Sequence, residues 1–133
     1  MKRIQEIAKD NGLAVIEDAS HATGARYYNT PVGSFGEAGC LDFYPAKPLM
    51  TGEGGMITTN DPHIAGKARI LRSLAAERSR GLRYDVRSIG FTYRMSKLQA
   101  TLGLHQLALL NMTNSVVKKK AHILVRELGP STA

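Results

Sequence analysis

The sequence predicts an α/β fold, a layered sheet flanked by helices, and three observations carry that prediction. A short charged amphipathic segment, residues 1–10, runs into an apolar stretch at 13–16. Two further strand-like runs, 39–44 and 55–59, flank one short turn. Helical patterns opening at Asp61-Pro62 and at Ser96 fill the rest of the chain. Helix, strands and then helices is the order of a layered α/β domain. At 133 residues and 43% hydrophobic, the chain can bury one sizeable core, so a single domain over 1–133 is expected.

Each element has its own signal. In residues 1–10, Ile4, Ile7 and Ala8 recur at helical spacing, and Asn11-Gly12 supplies a C-terminal stop. The short continuous apolar run 13–16 has the pattern of a strand buried on both faces. Residues 25–28, with Asn29-Thr30-Pro31 behind them, read as a strand running into a turn, and 33–39 as a glycine-rich loop. Strands at 39–44 and 55–59 follow. Asp61 as cap and Pro62 at the first helical position open a helix whose Ile64, Ala68, Leu71 and Ala75 share one face. Residues 76–88 are arginine-rich and unpatterned, as in an exposed loop. Ser96 with Gln99 three residues later forms a capping box, and Leu98, Leu102 and Leu109 mark the helix after it. Residues 111–114 read as a break before a last helix carrying Val117, Ile123, Leu124 and Leu128. There is no internal repeat and no linker.

Composition narrows the function classes. A single cysteine rules out an internal disulfide and gives no zinc pattern, and Cys40 reads as a buried apolar strand residue. No apolar run approaches membrane-spanning length, and Met1 opens onto a charged segment without a signal-peptide core; the expected address is cytoplasmic. The net charge of +7 invites nucleic acid as a partner. The basic residues are dispersed, however, at Lys67 and Arg69, Arg78 and Arg80, Arg83 and Arg87, and Lys118-Lys-Lys120. None is interleaved with aromatics as a base-stacking surface requires, so a nucleic-acid role is not expected. A basic surface suits a phosphorylated or nucleotide-linked small molecule equally well, and an ordinary solvated face suits it better than either. His63, His105 and His122 fall on predicted helices without acidic or cysteine partners at ligand spacing. They read as surface or packing residues, and no metal site is expected.

The chemistry concentrates in two places. Asp18 and His21 follow the first strand, in Ala14-Val-Ile-Glu-Asp-Ala-Ser-His21, and Lys47 sits in the turn between the two later strands, fixed between Pro45 and Pro48. A lysine, an acid at a strand end and a nearby flat ring match the needs of pyridoxal phosphate. That cofactor requires an amine to hold it as a Schiff base, a carboxylate to keep its ring nitrogen protonated, and a face to stack on. Glu17 alternates with Asp18 and would point to the other face of the strand. The plainer readings are a turn cap at Ala19-Ser20 for Asp18, a structural imidazole for His21 and a solvated charge for Lys47. The glycines of Gly52-Glu-Gly-Gly55 permit a sharp return into the next strand. They match neither G-x-x-x-x-G-K-[ST] nor a G-x-G-x-x-G opening a helix, which argues against a nucleotide-phosphate loop.

Four segments in consistent order carry a resemblance. Val15-Ile-Glu-Asp-Ala-Ser-His-Ala22, Val32-Gly-Ser-Phe-Gly-Glu-Ala-Gly-Cys40, Phe43-Tyr-Pro-Ala-Lys47 with Thr51-Gly-Glu-Gly-Gly-Met56, and Gly90-Phe-Thr-Tyr-Arg-Met-Ser-Lys-Leu-Gln-Ala100 resemble the DegT-type (DegT/StrS) sugar-nucleotide aminotransferases. The resemblance implies the type I, aspartate-aminotransferase fold, with this chain as a partial large domain covering its second half, without the N-terminal segment or the C-terminal small domain. It implies that Lys47 bonds covalently to the cofactor, Asp18 contacts the pyridine nitrogen and His21 packs on the ring. It implies transfer of an amino group, usually from glutamate, to a keto group on a nucleotide-linked deoxysugar, in a homodimer where the segment like 90–95 reaches the partner's cofactor phosphate. Three positions depart from the family pattern. Asp42 replaces a serine that hydrogen-bonds the cofactor phosphate, Thr92 replaces an asparagine, and Ala46 replaces a threonine before the lysine.

Three functional readings follow. One is an aminotransferase, or a piece of one too short to turn over alone. Another is a truncated relative that folds and dimerises without catalysis, and the last is a basic nucleic-acid-binding regulator. Lys47 favours the aminotransferase, Asp42 and the length favour the truncated relative, and the dispersed charge argues against the regulator.

Overall fold

The computed structural model describes residues 1–77, 85–86 and 88–129. The element order is α1 (Lys2–Asp10), β1 (Ile16–Asp18), β2 (Arg26–Tyr27), β3 (Thr30–Pro31), β4 (Ala38–Asp42), β5 (Gly55–Thr58), α2 (Pro62–Leu71), β6 (Ala76–Glu77), β7 (Asp85–Val86) and α3 (Lys97–Leu128). The main sheet has the order β1-β4-β5, with β1 parallel to β4 and β4 antiparallel to β5; β2-β3 and β6-β7 are separate antiparallel pairs. The layered α/β class expected from the sequence is what forms.

The local signals explain most elements. α1 closes where Asn11 ends the helix and Gly12 turns to φ +61°, letting Leu13 N–H donate to the Ala8 carbonyl. Asp61 caps α2 by accepting from His63 N–H, with Pro62 at the first helical position. α3 opens with a complete capping box: Ser96 N–H donates to Gln99 Oε1 at 2.8 Å, and Gln99 N–H donates to Ser96 Oγ at 3.2 Å. Gln99 Nε2 also donates to the Glu53 carbonyl, tying the start of α3 to the loop before β5. The core is small: Phe43, Leu49 and Leu110 cluster, with Leu41 and Met95 packed against them.

Several expectations are corrected. The strand predicted at 13–16 begins at Ile16 and continues through Glu17 and Asp18, and Ile16 is 70% exposed rather than buried on both faces. β1 is an edge strand here, paired only with β4 among the described residues. The turn after residues 25–28 closes a hairpin with β3 that the sequence pattern missed, through positive φ at Tyr28 and Asn29. The break expected at 111–114 does not occur, and α3 runs unbroken for 32 residues. Its polar residues there are satisfied without unwinding: Thr113 Oγ1 donates back to the Leu109 carbonyl, and Asn114 Nδ2 donates to the Thr23 carbonyl 91 positions away.

Ala75 lies beyond α2 and not on its face. It is buried in a strap formed where residues 89–93 run back along 71–75. Phe91 N–H donates to the Leu71 carbonyl, Leu74 N–H to the Phe91 carbonyl and Tyr93 N–H to the Arg72 carbonyl. The backbones approach so closely that a Cβ on Gly90 would lie 2.2 Å from Ala75 N. Of the loop expected at 76–88, the described parts form the short β6-β7 pair; 78–84 and 87, including Arg78, Arg80, Arg83 and Arg87, lie outside the described residues.

Candidate active site

Parallel pairing of β1 with β4 decides what the carboxyl ends of these strands share. Asp18 stands opposite Cys40, and Ala19, fully buried, donates its N–H to the Cys40 carbonyl. β4 runs two residues further, to Asp42, before its chain enters the lysine turn. Asp18 and His21 from one strand end therefore meet Asp42 and Lys47 from the other, in the position where parallel α/β sheets place their ligands. Cys40 is half-buried on β4, with its thiol free.

Asp18 is exposed, and its Oδ1 accepts both the N–H of Ser20 at 3.0 Å and the Ser20 hydroxyl. The hydroxyl and then the N–H of Ser20 hold this carboxyl below its ordinary value of 3.8. A slight desolvation opposes them, and the charges of His21 and Lys47 add to the lowering. The turn-cap role and the cleft-facing role are thus compatible, because Oδ1 serves the turn while His21 and Lys47 lie within electrostatic reach.

Lys47 closes a four-residue turn with Pro45 in its second position, donating its N–H to the Tyr44 carbonyl at 2.9 Å. Its side chain is only 9% exposed. The amine lies 2.8 Å from His21 Nε2, 3.4 Å from His21 Nδ1 and 3.3 Å from Asp42 Oδ2. Donation from the ammonium to the nearer ring nitrogen places the ring proton on Nδ1. Asp42 Oδ1 meanwhile accepts the Tyr44 N–H at 3.0 Å, so both oxygens of that carboxylate are engaged.

The base of the turn is rigid. Phe43 donates its N–H to the Gly54 carbonyl and accepts from Thr51 N–H, and the side chains of Phe43, Leu49 and Thr51 are all buried. Gly54, at φ +155°, leaves room that a Cβ would take from Thr51 Oγ1. Behind β1, the buried Glu17 carboxylate accepts the N–H groups of Gly33, Phe35 and Gly36. Burial raises its pKa, but the three N–H donors outweigh burial and set it below 4.5. Glu17 and Asp18 point to opposite faces, as their alternation requires.

Asp18, His21, Asp42 and Lys47 are therefore together. Thr92 sits elsewhere: it is exposed and bridges to Ser73 in the strap after α2, and the hydrogen bonds among the described residues do not join it to the other four. The turn cap at Ala19-Ser20, one of the two readings of Asp18, forms, whereas sequence reasoning missed Tyr44 as the partner of Asp42 and Glu17 as the anchor of the 33–36 loop. The Asp-x-Ser and Asp-x-Tyr spacings, which favour carboxylates bonding two residues ahead, carried that signal for both aspartates. His63, His105 and His122 are exposed on their helices. Among the described residues no group of three or more His, Cys, Asp and Glu converges as metal ligands, and no helix is long and apolar enough to cross a membrane.

A mostly buried primary amine, a flat ring touching it and an anionic carboxylate at the same strand ends fit the aldehyde, ring face and ring nitrogen of pyridoxal phosphate. The phosphate end fits less directly, since Asp42 offers no donor and is already occupied.

Comparison with known proteins agrees with this chemistry. The family model described as the DegT/DnrJ/EryC1/StrS aminotransferase family matches residues 1–132. The chain is 46% identical over 107 residues to GDP-perosamine synthase of Caulobacter vibrioides, covering 80% of this chain and 28% of that protein. It superposes with a TM-score of 0.92 at 30% identity on a Helicobacter pylori aminotransferase involved in the biosynthesis of pseudoaminic acid, covering 98% of this chain and 35% of that one. A Streptococcus pneumoniae protein in its PLP-form gives a TM-score of 0.67 at 25% identity, over 75% of this chain and 26% of that one. The chain spans under a third of the length of the curated relatives it matches.

Proposed function

Because the chain belongs to the DegT/DnrJ/EryC1/StrS aminotransferase family, we propose that residues 1–133 form part of the cofactor-binding large domain of a pyridoxal-phosphate-dependent sugar aminotransferase. The substrate is the keto group of a nucleotide-linked deoxysugar, the amino donor is glutamate, and the working form is a cytoplasmic homodimer. The observation that carries this is the convergence of the Lys47 amine, the His21 ring and the Asp18 carboxylate at the ends of two parallel strands.

When bound, the cofactor supplies an electron sink that this chain lacks. Lys47 Nζ is the amine that would hold it, and the same amine, positioned beside His21, could move a proton as a general base and acid. Asp18, kept ionised by Ser20, would hold a proton on the ring nitrogen by Coulomb attraction. His21 gives the ring a flat wall. Thr92 and the segment 90–95 serve the partner subunit's phosphate site, in keeping with Thr92 bridging to Ser73 and not bonding to this chain's own lysine.

The test is an absorbance spectrum of the chain with added pyridoxal phosphate, before and after borohydride. A yellow band that borohydride fixes onto Lys47, and that Lys47→Ala abolishes, is expected. An identical spectrum in the variant would remove Lys47 from its assigned role.

A further inference from the structure

We propose that Asp42 is the counterion of the Lys47 amine, a positioning residue that holds Nζ beside the His21 ring, and not a contact of the cofactor's phosphate. The inference rests on Lys47 as the point of cofactor attachment. Three observations carry it. The Lys47 side chain is 9% exposed, so its ammonium needs a compensating charge nearby. Of the groups facing it, His21 offers a ring nitrogen and no negative charge, and Asp18 has Oδ1 committed to Ser20. Among the described residues Asp42 alone places an oxygen within ion-pair distance, Oδ2 at 3.3 Å, and it is oriented there because Oδ1 is fixed by the Tyr44 N–H of its own turn.

The chemistry that follows is specific. Joining Lys47 to an aldehyde forms a C=N bond from the neutral amine and the carbonyl carbon, and releases one water. The extra proton held in the Lys47–Asp42 pair has to leave to solvent first, so the carboxylate restrains attachment at low pH whether or not the aldehyde carries a phosphate. A carboxylate directed at the phosphate would instead restrain only the phosphorylated aldehyde.

Asp42→Asn separates the two, because its side-chain oxygen can still accept the Tyr44 N–H while the charge is lost. Asp42→Ser, which also keeps a short acceptor, is the second variant, and circular dichroism checks that both fold like the parent. Binding of pyridoxal and of pyridoxal phosphate is titrated by absorbance at a pH below the amine's midpoint. In the unloaded chain, the Lys47 midpoint is read by NMR of ¹³C-methylated lysines, with Lys47→Arg assigning the signal. Loss of the counterion predicts a lower Lys47 midpoint in both variants and roughly 3- to 10-fold tighter binding of both aldehydes. An unmoved Lys47 midpoint, or a gain confined to pyridoxal phosphate, overturns the proposal. If the parent chain binds neither aldehyde but the midpoint still shifts, cofactor attachment at Lys47 fails and the counterion assignment stands.

Discussion

The amine of Lys47 lies 2.8 Å from Nε2 of His21, although the two residues are 26 positions apart. On the proposed function, the ring is a wall against which a cofactor ring would stack. His21→Ala should lower pyridoxal phosphate affinity about tenfold, the scale of one aromatic stacking contact. His21→Phe should recover most of it, since stacking needs the flat face and not the nitrogen. Equilibrium titration by absorbance measures both, and an alanine variant that binds like the parent would remove the ring from the site.

Ser20 sets the charge of Asp18. Its hydroxyl is the largest contribution holding that carboxyl below 3.8. Ser20→Ala keeps the backbone donor and loses the hydroxyl, so the Asp18 midpoint should rise toward 3.8 while the carboxylate stays ionised at neutral pH. A ¹³C carboxylate titration reads this directly. A midpoint that does not move would mean the hydroxyl bonds elsewhere in solution.

Glu17 should contribute to the acid limb of the stability curve. Its folded pKa lies below 4.5, so its stabilisation is fully present above that value and is lost as pH falls through the folded midpoint. Glu17→Gln places an amide where the Gly33 or Phe35 and Gly36 donors expect an acceptor, and should cost about 2 kcal/mol at pH 7. The difference from the parent should shrink toward pH 3. Urea midpoints across that range measure it, and a gap independent of pH would contradict the assignment.

Gln99 has two roles and Ser96 one. Ser96→Ala removes a helix cap worth about 1 kcal/mol. Gln99→Ala removes the reciprocal cap bond and also frees the Glu53 carbonyl beside the lysine turn. It should be the more destabilising of the two, and it alone should speed amide exchange at Phe43 and Thr51, whose bonds close that turn. Equal exchange in both variants would uncouple α3 from the site.

Two glycines should respond oppositely to alanine. Gly66, inside α2, has open space around its missing Cβ, and Gly66→Ala should stabilise by about 0.5–1 kcal/mol. At Gly90 the new methyl would meet Ala75 N at 2.2 Å and force the strap away from α2. Thermal unfolding of the two variants should shift in opposite directions.

Local chemistry was written plainly in the chain. The stop at Asn11-Gly12, the Asp61-Pro62 start, the Ser96–Gln99 box and the opposed faces of Glu17 and Asp18 depend on neighbours a few residues apart, and each formed where its residues predicted. The types of side chain suited to an aldehyde cofactor were legible in the same way. Contacts across the fold decided the rest. The predicted break at 111–114 vanished because Asn114 found the Thr23 carbonyl, and Asp42 turned toward Lys47 because the Tyr44 N–H fixed its other oxygen. Thr92 was drawn to Ser73 by the strap behind α2. The parallel register of β1 against β4, which sets Asp18 and His21 beside Asp42 and Lys47, depends on backbone pairing between distant segments, and side-chain spacing along one segment carries no record of it.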